Sequence, residues 1–162
     1  MNPAGVNAEM RGVYALIVHL RRDVKILLES GRAFEFTSGY WIYIGSAQGL
    51  GSTNLENRLR RHFRKKKKIH WHIDHLLSDE ISSKEAIWAE SNGKKECILI
   101  RSLADVGPFQ WGPRGFGSSD CQESCSTHVL RYVGEKNPIR NVENGFRQIG
   151  LTPRRYSIET PK

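Results

Sequence analysis

The sequence predicts an α+β fold in which a small antiparallel β-sheet is flanked by helices. Three observations lead there. Runs of β-branched and aromatic residues crowd the first third of the chain, Leu55, Leu59 and Phe63 repeat at helical spacing, and a further strand and helix pattern follows. With 162 residues, 38% of them hydrophobic and 26% charged, the chain has ordinary globular composition, and its length suits one domain, expected over 1–162.

Each element has its own signal. Gly12–Leu20 (GVYALIVHL) is rich in aliphatic and β-branched residues, and 24–28 (VKILL) follows the charged turn Arg21-Arg22-Asp23, so the two read as a hairpin. Residues 32–36 (RAFEF) add a short strand, and 40–46 (YWIYIGS) is a buried strand entered through Ser38-Gly39. Thr53-Asn54-Leu55-Glu56 has the spacing of a capping box, and the Leu55, Leu59, Phe63 stripe predicts a helix over about 54–67. A shorter helix is expected over 71–77, where Ile73, Leu76 and Leu77 share one side. Residues 84–89 (KEAIWA) read as a strand closed by a turn at Asn92-Gly93, and 95–104 carry the helix-period pair Leu99 and Leu103. Glycine, proline and serine dominate 107–120, an irregular loop, and short strands are expected at 127–133 and 154–158.

Charge narrows the partner. There are 25 Lys and Arg against 17 Asp and Glu, a formal charge of +8, which favours a polyanion through counterion release. No apolar run reaches the roughly 20 residues of a membrane span, and residues 1–10 lack the apolar centre of a signal peptide, so a cytoplasmic protein without a membrane partner is expected. Cys97, Cys121 and Cys125 are odd in number and follow no secreted-scaffold pattern, so no structural disulfide is expected. With His128 they supply the ligand types of a structural zinc site, but the C-x3-C-x2-H spacing is loose and weighs against one.

On the predicted helix, Arg58 and His62 lie four apart and so share a face bordering the apolar stripe. Such an arginine can fork onto a phosphate, and such a histidine can relay a proton near neutral pH; a plain solvated basic face is the alternative, since Arg60, Arg61 and Arg64 are basic too. Tyr14 and Tyr43 sit in strands, each near a glycine, at Gly12 and Gly45; on their own they read as core residues. Arg61, Lys65, Lys66, Lys67 and Lys68, with His72 nearby, are expected to engage backbone phosphates. The group His70, His72, Asp74 and His75 reads either as surface polar residues at a helix start or as the lining of a substrate cleft.

Gly12-Val13-Tyr14, Tyr43-Ile44-Gly45 and the later Asn54-Leu55-Glu56-Asn57-Arg58-Leu59 resemble the GIY, YIG and helix-arginine motifs of the GIY-YIG nuclease superfamily. The segments GYWIYIGSA, RLRRHFRKKKKIHWHIDHLL, KKECILI and GFGSSDC further resemble a subfamily sometimes fused to endonuclease III type DNA glycosylases. The superfamily resemblance implies that Tyr14, Tyr43, Arg58 and Glu96 converge on one divalent ion, magnesium or manganese, held by Glu96. His62 stands where members carry a tyrosine or histidine. Glu96 is preferred to Glu80, Glu85 and Glu90 because it opens the helix after the strand, as the family glutamate does. Two departures stand out: the Tyr14 to Tyr43 spacing is long, consistent with an extra hairpin at 24–36, and the asparagine often found after the glutamate has no obvious counterpart, with Ser118, Ser119 or Asp120 as the candidates to serve instead.

The function expected from this resemblance is a metal-dependent endonuclease hydrolysing DNA phosphodiester bonds, in repair and in association with a DNA glycosylase. The alternatives are a catalytically silent nucleic-acid-binding module of the same fold, or an RNA-processing nuclease.

Overall fold

The computed structural model describes residues 10–49, 54–64, 72–77, 81–118 and 125–156. In chain order the elements are β1 (Gly12–Leu20), β2 (Val24–Leu27), β3 (Ala33–Phe36), β4 (Gly39–Ala47), α1 (Leu55–Phe63), α2 (His72–Leu77) and β5 (Ile81–Glu90). Then follow α3 (Glu96–Val106), β6 (Phe109–Trp111), β7 (Val129–Tyr132), α4 (Ile139–Gln148) and β8 (Arg154–Tyr156). The fold is α+β: a six-stranded antiparallel sheet in the order β6-β7-β4-β1-β5-β8, flanked by helices, with β2 and β3 forming a separate two-stranded ribbon.

The expected β1–β2 hairpin does not form. β1 pairs with β4 along one edge and β5 along the other, and β2 pairs with β3. The reason is visible in the residues: β1 is a nearly unbroken apolar run, as a strand covered on both faces requires, whereas β2 alternates buried and exposed positions. The Arg21-Arg22-Asp23 segment leads away from the sheet, and Asp23 Oδ1 accepts the Ser38 N–H at 2.8 Å, closing the ribbon's base.

Side chains of β1 alternate between two cores. On one face Tyr14, Leu16 and Val18 meet Leu55 and Leu59 of α1, Ile73, Leu76 and Leu77 of α2, and the ribbon's Ile26, Phe34 and Phe36. On the other, Val13, Ala15 and Ile17 meet Leu99, Ile100 and Leu103 of α3 and Val142 and Phe146 of α4. The sheet is thus the middle of three layers.

The boundaries of α1 differ from expectation. Asn54, rather than Thr53, is the capping residue: its side chain accepts the Asn57 N–H at 2.9 Å. The helix ends at Phe63 because Arg64 is already extended, and residues 65–67 of the expected helix lie outside the described residues. α4 carries no expectation from the sequence. Its apolar signal is thin, only Ile139, Val142 and Phe146 at helical spacing, behind an Asn137-Pro138 pair that reads as a turn. Within the expected irregular loop, Phe109–Trp111 forms the edge strand β6 against β7.

Candidate active site

α1 lies across β1 and β4 and carries the site's basic residues. Its buried residues are Leu55, Glu56, Leu59 and His62, while Phe63 is half-buried, so the helix is rolled relative to the expected stripe. That roll takes His62 from the border into the interior. Its Nε2 lies 2.7 Å from the Tyr14 hydroxyl, and its ring centroid lies 6.3 Å from that of Tyr43. Tyr14 and Tyr43 point to the same side of the sheet, because Tyr43 pairs with Leu16, two residues along β1 from Tyr14. Tyr14 is buried and Tyr43 half-buried. Gly45, opposite Tyr14, is required for this geometry, since a Cβ there would overlap the phenol ring.

Arg58, half-buried one turn before His62, donates from Nη1 to the Ser46 carbonyl at 3.4 Å and stands beside Tyr14. Burial pushes the Tyr14 phenol up from its ordinary 10.0 to about 12; the Arg58 guanidinium pulls it down, and the Asp74 and Glu96 carboxylates add to the rise. Tyr14 therefore keeps its proton throughout the neutral range. The phenol is the donor in its bond to His62 Nε2 when the imidazole proton sits on Nδ1.

This shift has a consequence at high pH. The unfolded phenol ionises near 10.0 and the folded one near 12, so the stability Tyr14 contributes is intact below pH 10 and is lost as pH climbs towards 12. Denaturant unfolding of the wild type and Tyr14→Phe, compared at pH 8 and 11, should show the wild type losing about 1 kcal/mol more between the two. Equal losses would mean that the phenol is hydrated and its environment is not the one described.

Glu96 is the first residue of α3, as the sequence suggests, where a carboxylate is favoured by the helix dipole. It is half-buried, its charge is felt at Tyr14, and its Oε2 is buried with no hydrogen-bond partner. A buried carboxylate oxygen left in this way is costly in a folded protein and is the donor a hard divalent cation takes. The site residues present thus fit a single magnesium or manganese ion at Glu96.

Two of the residues expected at the nucleic-acid surface have partners within the protein. Arg61, expected to reach phosphates, instead donates two bonds to Asp74, Nη1 to Oδ1 at 2.8 Å and Nη2 to Oδ2 at 2.9 Å. Asp74 is fully buried, so the pair fastens α2 to α1. His72, also expected at the nucleic-acid surface, packs between Phe34 and Phe116, and its Nδ1 accepts the Gly117 N–H at 3.0 Å. Lys65, Lys66, Lys67 and Lys68 lie outside the described residues, as do Ser119 and Asp120; Ser118 donates to the Ser126 carbonyl at 3.3 Å.

Sequence reasoning missed Lys84. From β5 its Nζ donates to the His62 carbonyl at 3.0 Å, a cation at the C-terminal end of α1 that helps hold the histidine's turn in place. Its position in a strand with no periodic relation to α1 left no signal. Cys97, Cys125 and His128 also come together, their ligand atoms within 4.8 Å of one another, and the two cysteines are not joined in a disulfide. Cys121 lies outside the described residues.

An antiparallel sheet with an arginine-bearing helix laid over its two tyrosine strands is the arrangement of a GIY-YIG-like protein. Residues 13–151 match the family model described as Domain of unknown function DUF123, and the chain belongs to that GIY-YIG-like family. No curated protein and no solved structure matches it. No helix among the described residues is long and apolar enough to cross a membrane.

Proposed function

We propose that the protein is a divalent-metal-dependent endonuclease acting on the phosphodiester backbone of DNA. The observation that carries this reading is the linked set Arg58, Tyr14 and His62, with Tyr43 beside it and the Glu96 carboxylate presenting a buried oxygen. Bound at Glu96, magnesium or manganese would supply Lewis-acid polarisation of a phosphate oxygen and a water of lowered pKa.

The chain's own residues divide the remaining work. Arg58 offers its guanidinium to the charge that grows on a phosphate during in-line displacement. Tyr14 is too weak an acid to serve as a free phenolate near neutral pH, so it acts by relay: it takes a proton as it passes its own to His62 Nε2, 2.7 Å away. Tyr43, less buried, is the tyrosine better placed to meet substrate directly. The net charge of +8 and the run Lys65, Lys66, Lys67 and Lys68 favour a long polyanion. Action in repair, delivery by a DNA glycosylase and placement in the cytoplasm extend the reading by resemblance alone.

Single-turnover cleavage of a labelled duplex with saturating manganese, from pH 5.5 to 9, tests it. Arg58→Ala should lose roughly 2.7 to 4 kcal/mol of transition-state stabilisation, a hundredfold or more in rate, with binding little changed. His62→Ala should lose less, and should change the shape of the pH profile because the relay has lost its acceptor. Wild-type rates in both variants would remove Arg58 and His62 from the catalytic set, and no cleavage by the wild type would favour the silent binding module. Preferential cleavage of an RNA duplex would favour the RNA-processing reading.

A further inference from the structure

Beyond the proposed cleavage site lies a second cluster of ligand-type side chains, of different chemistry. Cys97 is the second residue of α3, while Cys125 and His128 come from the segment that leads into β7. Their Sγ and ring-nitrogen atoms all lie within 4.8 Å of one another, and Cys97 Sγ is 3.6 Å from His128 Nε2. Donors sharing a tetrahedral zinc ion, with bonds of about 2.3 Å to sulfur and 2.0 Å to nitrogen, sit roughly 3.5 to 3.8 Å apart. Cys97 and His128 already have that separation. A thiol–imidazole hydrogen bond would account for the pair alone, but it does not account for a second thiol brought to the same point from another part of the chain.

The backbone around the cluster is well held. The His128 N–H donates to the Phe116 carbonyl and its carbonyl accepts from the Ile44 N–H, both at 2.9 Å, while Cys97 is buried at the start of α3. Cys97 and His128 therefore come from parts of the chain whose positions are set by the fold and not by the cluster. Thiolate and imidazole select zinc over magnesium or manganese, so this is not a second copy of the chemistry at Glu96.

We propose that Cys97, Cys125 and His128 form a structural zinc site. The ion would tie the first turn of α3, which carries Glu96, to the segment entering β7, whose Val129 pairs with Tyr43. It would thus fix two members of the cleavage site relative to each other while taking no part in the reaction. The inference rests on the three side chains alone and stands whether or not the protein cuts DNA.

The full chain, expressed with zinc in the medium, should retain about one zinc per molecule by elemental analysis. Cys125→Ser, at a half-buried position that tolerates substitution better than buried Cys97, should lose it, as should His128→Ala. Removing zinc from the wild type with a chelator should lower Tm by roughly 10 °C or more, and adding zinc back should restore it. Cobalt added to the metal-free chain should give the thiolate charge-transfer absorption and intense d–d bands of a tetrahedral site, weakened in Cys125→Ser. Glu96→Gln should keep its zinc in full. Absence of zinc with a Tm that zinc does not raise, or a Cys97–Cys125 disulfide found by mapping under non-reducing conditions, would overturn the site. Loss of zinc in Glu96→Gln would overturn its separation from the cleavage site.

Discussion

Glu96→Gln is expected to abolish manganese binding and bring DNA cleavage below detection while leaving the fold intact. The amide keeps the shape of the side chain at the first turn of α3 but removes the charge that anchors a hard cation, and none of the other proposed site residues is a carboxylate. Asp74 does not substitute for it, because both of its oxygens accept bonds from Arg61. The metal-free protein supplies a second readout. Glu96 Oε2 is buried with no hydrogen-bond partner, so exchanging the carboxylate for a neutral amide should leave Tm unchanged or raise it slightly. Isothermal titration with manganese and a thermal melt of each form make the comparison. Unchanged metal affinity in the variant would place the cation elsewhere and remove the main support for metal-assisted cleavage.

The largest loss of stability is expected at Arg61. Asp74 is 0% exposed and Arg61 22%, and their two short bonds join α1 to α2. Arg61→Ala leaves a buried carboxylate without its counter-charge, which costs about 3 to 5 kcal/mol, a fall in Tm on the order of 10 °C for a chain of this size. Replacing both partners at once with apolar residues of similar volume, Arg61→Met with Asp74→Leu, should recover most of that loss, because the greater part of it is the stranded charge. Urea unfolding of the single and double variants checks both statements. A loss below about 1 kcal/mol in Arg61→Ala, together with a flattened salt dependence of DNA binding, would return Arg61 to the phosphate-contacting role that the sequence suggests.

Much of the site is legible in the amino-acid sequence, because the motifs that carry it are local. The strands of Tyr14 and Tyr43, the helix of Arg58 and His62, the helix opened by Glu96 and the ribbon inserted between β1 and β4 each declare themselves through composition and period over ten residues or so. The exact partners do not. Pairing β1 with β4 and β5 rather than β2 depends on which strands can cover both faces of an apolar run, and that is settled by the whole sheet.

Arg61 and Arg58 are three residues apart on one helix and chemically identical, so apart from the motif resemblance that singles out Arg58, the sequence by itself determined a basic helix. Only the tertiary structure decided that α2 presents a buried carboxylate to Arg61, while Arg58 stands beside Tyr14. The same holds for His62: its four-residue spacing from Arg58 is fixed by the chain, but the roll of α1 that buries it against Tyr14 comes from packing on β1 and β4. Cys97 and His128 are 31 residues apart and meet only because α3 starts where β7 begins. Periodicity reports which way a side chain points within its own element. What it meets there is a long-range contact, selected by burial and charge compensation over the entire fold.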